Sequence, residues 1–228
     1  MINKKRIKTF TIIIIILFIL GTYGNVSGFF FWSDDAPVAV EDWLKNGMDS
    51  LEAGNEDLAV ENFSRAIEDN PALAEAYVER GRLYFNKGDY TNALADYNKA
   101  IELTPQEARL FFERAQVQLV LNNTQDGLLD LDRAIQMDPQ MADAFLLRGK
   151  LHKALNDLGK AMEDFNAALK YESENAFALE ERGSIYAMRQ QWQEAIEDFN
   201  RALAINPDST ESLVSRTQAL QLSGDLEG

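Results

Sequence analysis

The side chains in this sequence that have chemistry to offer are arginines, carboxylates and one imidazole. His152 is the only histidine and there is no cysteine, so no thiolate nucleophile, disulfide framework or thiolate zinc site is possible. A lone imidazole without an acidic cage around it reads as a packed side chain rather than a metal ligand. Neither a glycine-rich phosphate loop nor a GxSxG or HExxH motif occurs. Paired carboxylates are frequent, such as Glu79 with Asp96 or Glu180 with Glu181, but an acidic chain places such pairs on solvated helices without catalytic meaning. This reading gives a non-catalytic protein with no cofactor and no metal. Asn-x-Ser/Thr sequons stand at Asn25, Asn62 and Asn122, and only Asn122 falls in an expected turn.

Charge narrows the partner class. The net charge is -15, and of the 22 basic residues four (Lys4, Lys5, Arg6, Lys8) crowd the first nine positions, so the remainder is more acidic still. Such a body repels phosphate backbones, which excludes nucleic acid as a ligand.

Arginine recurs with a fixed neighbour. Arg80, Arg114, Arg148, Arg182 and Arg216 are spaced by 34 residues, and Asp96, Asp130, Asp164 and Asp198 follow the first four at a constant 16. One period earlier both positions are neutral, Asn46 and Asn62, so the two charges vanish together. Paired groups behave so, because an uncompensated charge in a partly buried site is costly. The expectation is an ion pair within each unit: Arg80 with Asp96, Arg114 with Asp130, Arg148 with Asp164, and Arg182 with Asp198. A pairing with the following unit stays open, because Arg216 has no second helix of its own.

The same period runs through the chain. Pro71, Pro105, Pro139 and Pro207 stand at steps of 34, 34 and 68, with Ser173 in the skipped place. Taking the proline as position 32 gives five units: 40–73, 74–107, 108–141, 142–175 and 176–209. Position 4 is large and apolar (Trp43, Tyr77, Phe111, Phe145, Leu179), and position 8 is small (Gly47, Gly81, Ala115, Gly149, Gly183). Position 20 is again small, position 24 bulky (Phe63, Tyr97, Leu131, Phe165, Phe199), and position 27 is alanine five times. Apolar residues at three- and four-residue steps give each helix one stripe, and Gly54-Asn55, Gly88-Asp89, Asn122-Asn123 and Asn156-Asp157 mark turns between paired helices. No unit buries its stripe alone, so the units must stack. Position 11 is Ser50, Gln118 and His152 in three units, which predicts looser packing, and the run from Glu172 to Asn175 predicts a less sharp helix end in the fourth. Residues 210–228 read as a capping helix and tail, with Leu213 and Leu220 inward.

This pattern resembles the tetratricopeptide repeat (TPR). The resemblance implies an all-α fold, a right-handed superhelical α-solenoid of stacked helix-turn-helix units, acting as a protein-interaction scaffold or assembly factor. It further implies that the first helices line a concave peptide-binding groove through positions 2, 5, 6, 9, 12 and 13. Here position 5 supplies Leu44, Val78, Phe112 and Leu146, and position 12 supplies Phe85 and Leu119; the other reading open for Phe85, Phe112 and Leu119 is packing between neighbouring helices. Position 6 supplies Glu79 and Glu113, and position 9 supplies Met48, Arg82, Gln116 and Lys150. The family's carboxylate clamp is absent, since Leu44, Glu79 and Met48 hold its places. The expected ligand is an apolar segment bearing Lys or Arg, bound as an amphipathic helix or extended strand. The other reading open at this point is a self-associating oligomerisation module.

The first 32 residues form a separate signal. Four basic residues precede the apolar run Phe10–Leu20, and small residues then lead to Phe29, Phe30, Phe31 and Trp32. This reads as a cleaved signal peptide, as a single-pass membrane anchor with an aromatic belt, or as an ordinary apolar terminus. The first two readings send the rest out of the cytoplasm to a periplasmic, secreted or lumenal location. Residues 33–39 read as a linker.

Overall fold

The computed structural model describes residues 40–224, all within the second of the chain's two units, Ala39–Gly228. The expected signal or anchor, the linker and the last four residues lie outside the described residues. Among those described, no helix is long and apolar enough to cross a membrane.

All regular structure in this stretch is helical. The helices are α1 (Val40–Glu52), α2 (Glu56–Asp69), α3 (Ala74–Asn86), α4 (Tyr90–Leu103), α5 (Ala108–Val120), α6 (Thr124–Met137), α7 (Ala142–Ala154), α8 (Leu158–Tyr171), α9 (Ala176–Met188), α10 (Trp192–Ile205) and α11 (Thr210–Ser223). From α1 to α10, first helices of 13 residues alternate with second helices of 14, and each packs chiefly on its neighbours in sequence.

The turn within each pair is built the same way. Its middle residue takes a left-handed backbone at Gly54, Gly88, Asn122, Asn156 and Gln190, with φ of 73°, 78°, 63°, 62° and 58°. The next residue then donates its amide to a carbonyl five residues back, as from Asn55 to Ser50 and from Gln191 to Tyr186, which satisfies the end of the first helix. Asn55, Asp89 and Asp157 go on to cap the second helix with a side-chain oxygen, whereas Asn123 and Gln191 do not. Gln190 is a turn residue that no glycine or asparagine marks. The fourth unit corrects a second expectation, because without its proline α8 still stops at Tyr171 and Asn175 caps α9.

The core follows the large-small alternation. Phe63, Leu131, Phe165, Phe199 and Tyr97 are buried, and the five alanines of position 27 have no exposure. At Gly47 and Gly183 a methyl group would stand 2.4 and 2.9 Å from the rings of Phe63 and Phe199, so these first helices approach their partners as only glycine permits. The position 11 side chains are not loosely packed. Ser50 and Gln118 are buried and His152 is largely so, although the Gln118 Oε1 has no partner among the described residues. On α11, Ser212 and Ala219 are buried and Leu220 packs against the Phe199 cluster. Leu213 is not inward as expected; it is 39% exposed.

A left-handed backbone strains glutamine and leaves glycine unstrained. Gln190→Gly is therefore expected to raise the unfolding free energy by about 0.5–1 kcal/mol. Urea denaturation followed by circular dichroism checks this, and a lowered midpoint contradicts it.

Candidate functional site

Two charged systems run along the array on different helix faces. The first begins with the arginines of position 7. Arg80 donates from Nε to Asp96 Oδ2 at 2.8 Å and from Nη2 to Oδ1 at 2.7 Å, and Arg114–Asp130 and Arg182–Asp198 repeat this two-bond fork. Arg148 reaches Asp164 at 2.6 Å, and His152 Nδ1 lies 3.0 Å from the same carboxylate. The structure thus brings together each of the four pairs read from the sequence. The aspartates are buried and the arginines nearly so, and the Asp96 and Asp198 forks hold the Arg80 and Arg182 guanidiniums above the usual arginine range.

Each arginine also donates from Nη1 to the second helix of the preceding unit. The acceptors are Ser64 Oγ, Asn98 Oδ1, Asp132 Oδ1 and Asn166 Oδ1 at 2.6 to 3.0 Å, and Arg216 finds Asn200 at 3.0 Å. The unit boundary is therefore crossed backward, not toward the following unit. All five acceptors occupy position 25, a signal hidden by their variety, since serine, asparagine and aspartate share only a side-chain oxygen able to accept. In the first unit the pair is replaced by neutral bonds, Asn62 donating to Ser50 and Ser50 to the Asn46 carbonyl.

The second system lies on the first helices, where the groove was expected. Its apolar members are largely consumed by packing. Val78 and Phe112 are buried, Phe112 to 4% exposure, in the clusters that join α3 to α5 and α5 to α7. Leu44 and Met48 pack against Phe63, Phe85 against Tyr97 and Tyr90, Leu119 against Gly127, and Leu146 against two clusters at once. The expected row of exposed apolar side chains does not exist at position 5. The physical reason is that adjacent first helices approach closely enough for this position to fill the seam between them.

The acids are likewise engaged. Glu113, 5% exposed, accepts from Arg82 Nη2 at 2.7 Å and from Arg109 Nε at 3.2 Å. Arg82 also donates to Glu79 at 2.6 Å, and Arg109 reaches Asp143 of the next unit at 3.3 Å. Burial pushes the Glu79 carboxyl up, with Arg82 opposing that shift, and burial beside the Glu113 carboxylate raises the Tyr97 phenol. Lys153 is held by Glu181 and Ser184. Glu79, Glu113 and Asp143 are thus paired with arginines of the same face, while Glu75 of position 2 stays exposed. Beside these pairs the face carries the half-exposed edges of Arg82 and Arg109, the exposed carboxylates of Glu75 and Asp143, Gln116, and Lys150 with its Nζ 5.4 Å from the Phe177 ring centre. Among the described residues no group of three or more His, Asp or Glu is placed to hold a metal ion.

Within the first system the two kinds of acceptor differ in what a deletion should do. Asp198→Ala leaves Arg182 buried without its counter-charge and is expected to cost about 3 kcal/mol of stability. Asp132→Ala, on a side chain 60% exposed, is expected to change stability by less than about 1 kcal/mol. Denaturant unfolding of the two variants checks the contrast, and equal effects contradict it.

Comparison with known proteins agrees with the repeat geometry. Family profiles described as TPR repeat and Tetratricopeptide repeat match residues 81–121, 112–170 and 176–209. No curated protein matches the chain. Among solved structures, PilF of Pseudomonas aeruginosa superposes with a TM-score of 0.73 at 16% identity, covering 82% of this chain and 85% of its own. PilW, described as a widely conserved type IV pilus biogenesis factor, gives 0.68 at 16% identity, covering 82% and 87%. YrrB, described as a TPR protein with an unusual peptide-binding site, gives 0.66 at 22% identity, covering 78% and 92%. With the profiles and the stacked helix pairs in agreement, this chain belongs to the tetratricopeptide-repeat proteins.

Proposed function

We propose that this protein is a non-catalytic interaction scaffold that receives a polypeptide segment of a partner on the face formed by α3, α5, α7 and α9. The observation that carries this reading is the charge chain from Glu79 through Arg82, Glu113 and Arg109 to Asp143, with Lys150 and Phe177 beyond it. It runs across successive units and fixes cationic edges in place before any ligand arrives. Pre-organised donors bind without the entropy loss of ordering free side chains. A segment carrying Asp or Glu beside an apolar residue complements this face, its carboxylate meeting Lys150 or Arg109 and its apolar side chain the Phe177 ring. The peptide-binding description of YrrB and the biogenesis role in the description of PilW are in keeping with such work. The units of this scaffold are the five 34-residue repeats, 40–73 to 176–209, with residues 210–228 as cap and tail. Residues 1–32 direct it out of the cytoplasm, as a cleaved signal or as an anchor, in line with their basic start and apolar run.

Peptides selected from a random display library against the full chain test the face. They are expected to be acidic, and the double variant Lys150→Glu with Phe177→Ala should bind them about tenfold more weakly at an unchanged unfolding midpoint. Selection of basic peptides, or full affinity in the double variant, contradicts the assignment. Fused to a reporter active only outside the cytoplasm, residues 1–36 should confer activity; a cytosolic product refutes the export reading.

A further inference from the structure

The carboxylates of the first-helix charge chain outnumber its cations. Glu79, Glu113 and Asp143 share Arg82 and Arg109, so one acid is left over. Glu113 is held twice, accepting from Arg82 at 2.7 Å and from Arg109 at 3.2 Å. Asp143 keeps its side chain 53% exposed, where water hydrates the charge. Glu79 has neither advantage: its side chain is 15% exposed, and its one bond comes from Arg82 Nη1 at 2.6 Å.

The neighbouring helices do not relieve it. Arg82 crosses to Glu113 from position 9, but one unit earlier that place is Met48, and no ion pair or hydrogen bond comes to Glu79 from α1 or α2. On α3 itself Glu75 stands one turn away with like charge, α5 brings Glu113, and α4 brings the buried Tyr97 phenol. Burial pushes the Glu79 carboxyl up, Arg82 opposes this, and Glu113 and Glu75 add to the rise.

We infer that Glu79 is an internal stand-in for a ligand carboxylate, occupying Arg82 Nη1 until it takes a proton, so that acidification opens this face to an acidic segment. Such regulation presupposes that the face receives an acidic segment, as proposed above, and adds a proton switch to that binding. Arg82 is 42% exposed, so a ligand can reach the edge that Glu79 covers. Once a ligand carboxylate takes Nη1, Glu79 stays buried without its only cation, and its carboxyl is pushed further up. The bound state thus holds the proton more tightly than the free state. Affinity rises as pH falls between the two titrations and is flat outside them, and the proton comes from solvent.

The probe is an acidic peptide selected from the display library near pH 5, remade with cysteic acid for its carboxylate residues so that its own charge stays constant. Calorimetry against the full chain should find it bound about tenfold more tightly at about pH 5 than at about pH 7.5. Buffers of different ionisation heat should report uptake of up to about one proton on binding between those values. Glu79→Gln should remove both effects and bind at the higher pH as tightly as the unaltered chain does at the lower. In the ligand-free chain, carbon-detected NMR should find the Glu79 carboxyl titrating above the ordinary glutamate range, and higher still in Arg82→Gln. Equal binding at both pH values, or a pH dependence that survives Glu79→Gln, overturns the switch and leaves the acidic-segment reading standing. No binding of acidic peptides at either pH overturns that reading and the switch with it. A Glu79 carboxyl titrating within or below the ordinary range overturns the switch alone.

Discussion

A guanidinium that touches three helices at once is the constraint on which the rest of this structure depends. At position 7 the arginine rises from a first helix, spans an aspartate of its own second helix with two bonds, and gives a third to the second helix of the unit before. Intra-unit and inter-unit geometry are thereby fixed by one side chain. Buried ion pairs of this kind add little net stability over well-packed apolar residues of equal volume, because desolvation offsets much of the attraction. Breaking them is another matter, since the remaining charge has nowhere to go. Their contribution is to specify which face of each helix meets which neighbour, while the alanines and glycines of positions 8, 20 and 27 let the helices approach.

The face formed by the first helices is a consequence of that spacing. Once neighbouring first helices are this close, position 5 lies in the seam between them, and Val78 and Phe112 become core. At positions 2 and 9 Arg109 and Arg82 stay half-exposed, and both close on the buried Glu113 of position 6, Arg82 across the unit boundary. On this face Arg82 and Arg109 set their charge against Glu79, Glu113 and Asp143, within a chain whose net charge is -15. Local pairing outweighs net charge here because interactions with unpaired distant acids are screened within about 10 Å at ordinary ionic strength.

Much of this was legible in the sequence, and the part that was not has physical causes. The 34-residue step and the joint loss of charge at Asn46 and Asn62 disclose the arginine–aspartate pairs, because a paired charge must vanish with its partner. The position 25 acceptors escaped because Ser64, Asn98 and Asp132 satisfy the same donor with different residue types. Gln190 hid a left-handed turn because the bonds from its own amide to Ala187 and from the Gln191 amide to Tyr186, not its own preference, hold the conformation. Glu113 looked like a groove acid because spacing reports the face of a helix and not the depth of a side chain. Depth follows from how closely α3, α5 and α7 approach, a tertiary quantity that no single period encodes.

Hydrogen exchange read by mass spectrometry on the full chain carrying Arg148→Met tests the three-helix junction most directly. Arg148 joins α7 to α8 through Asp164 and to α6 through Asp132. The account predicts that amide protection falls together in α6, α7 and α8, while α1, α2 and α10 keep theirs. Loss confined to α7 alone, with α6 and α8 as protected as before, would contradict it.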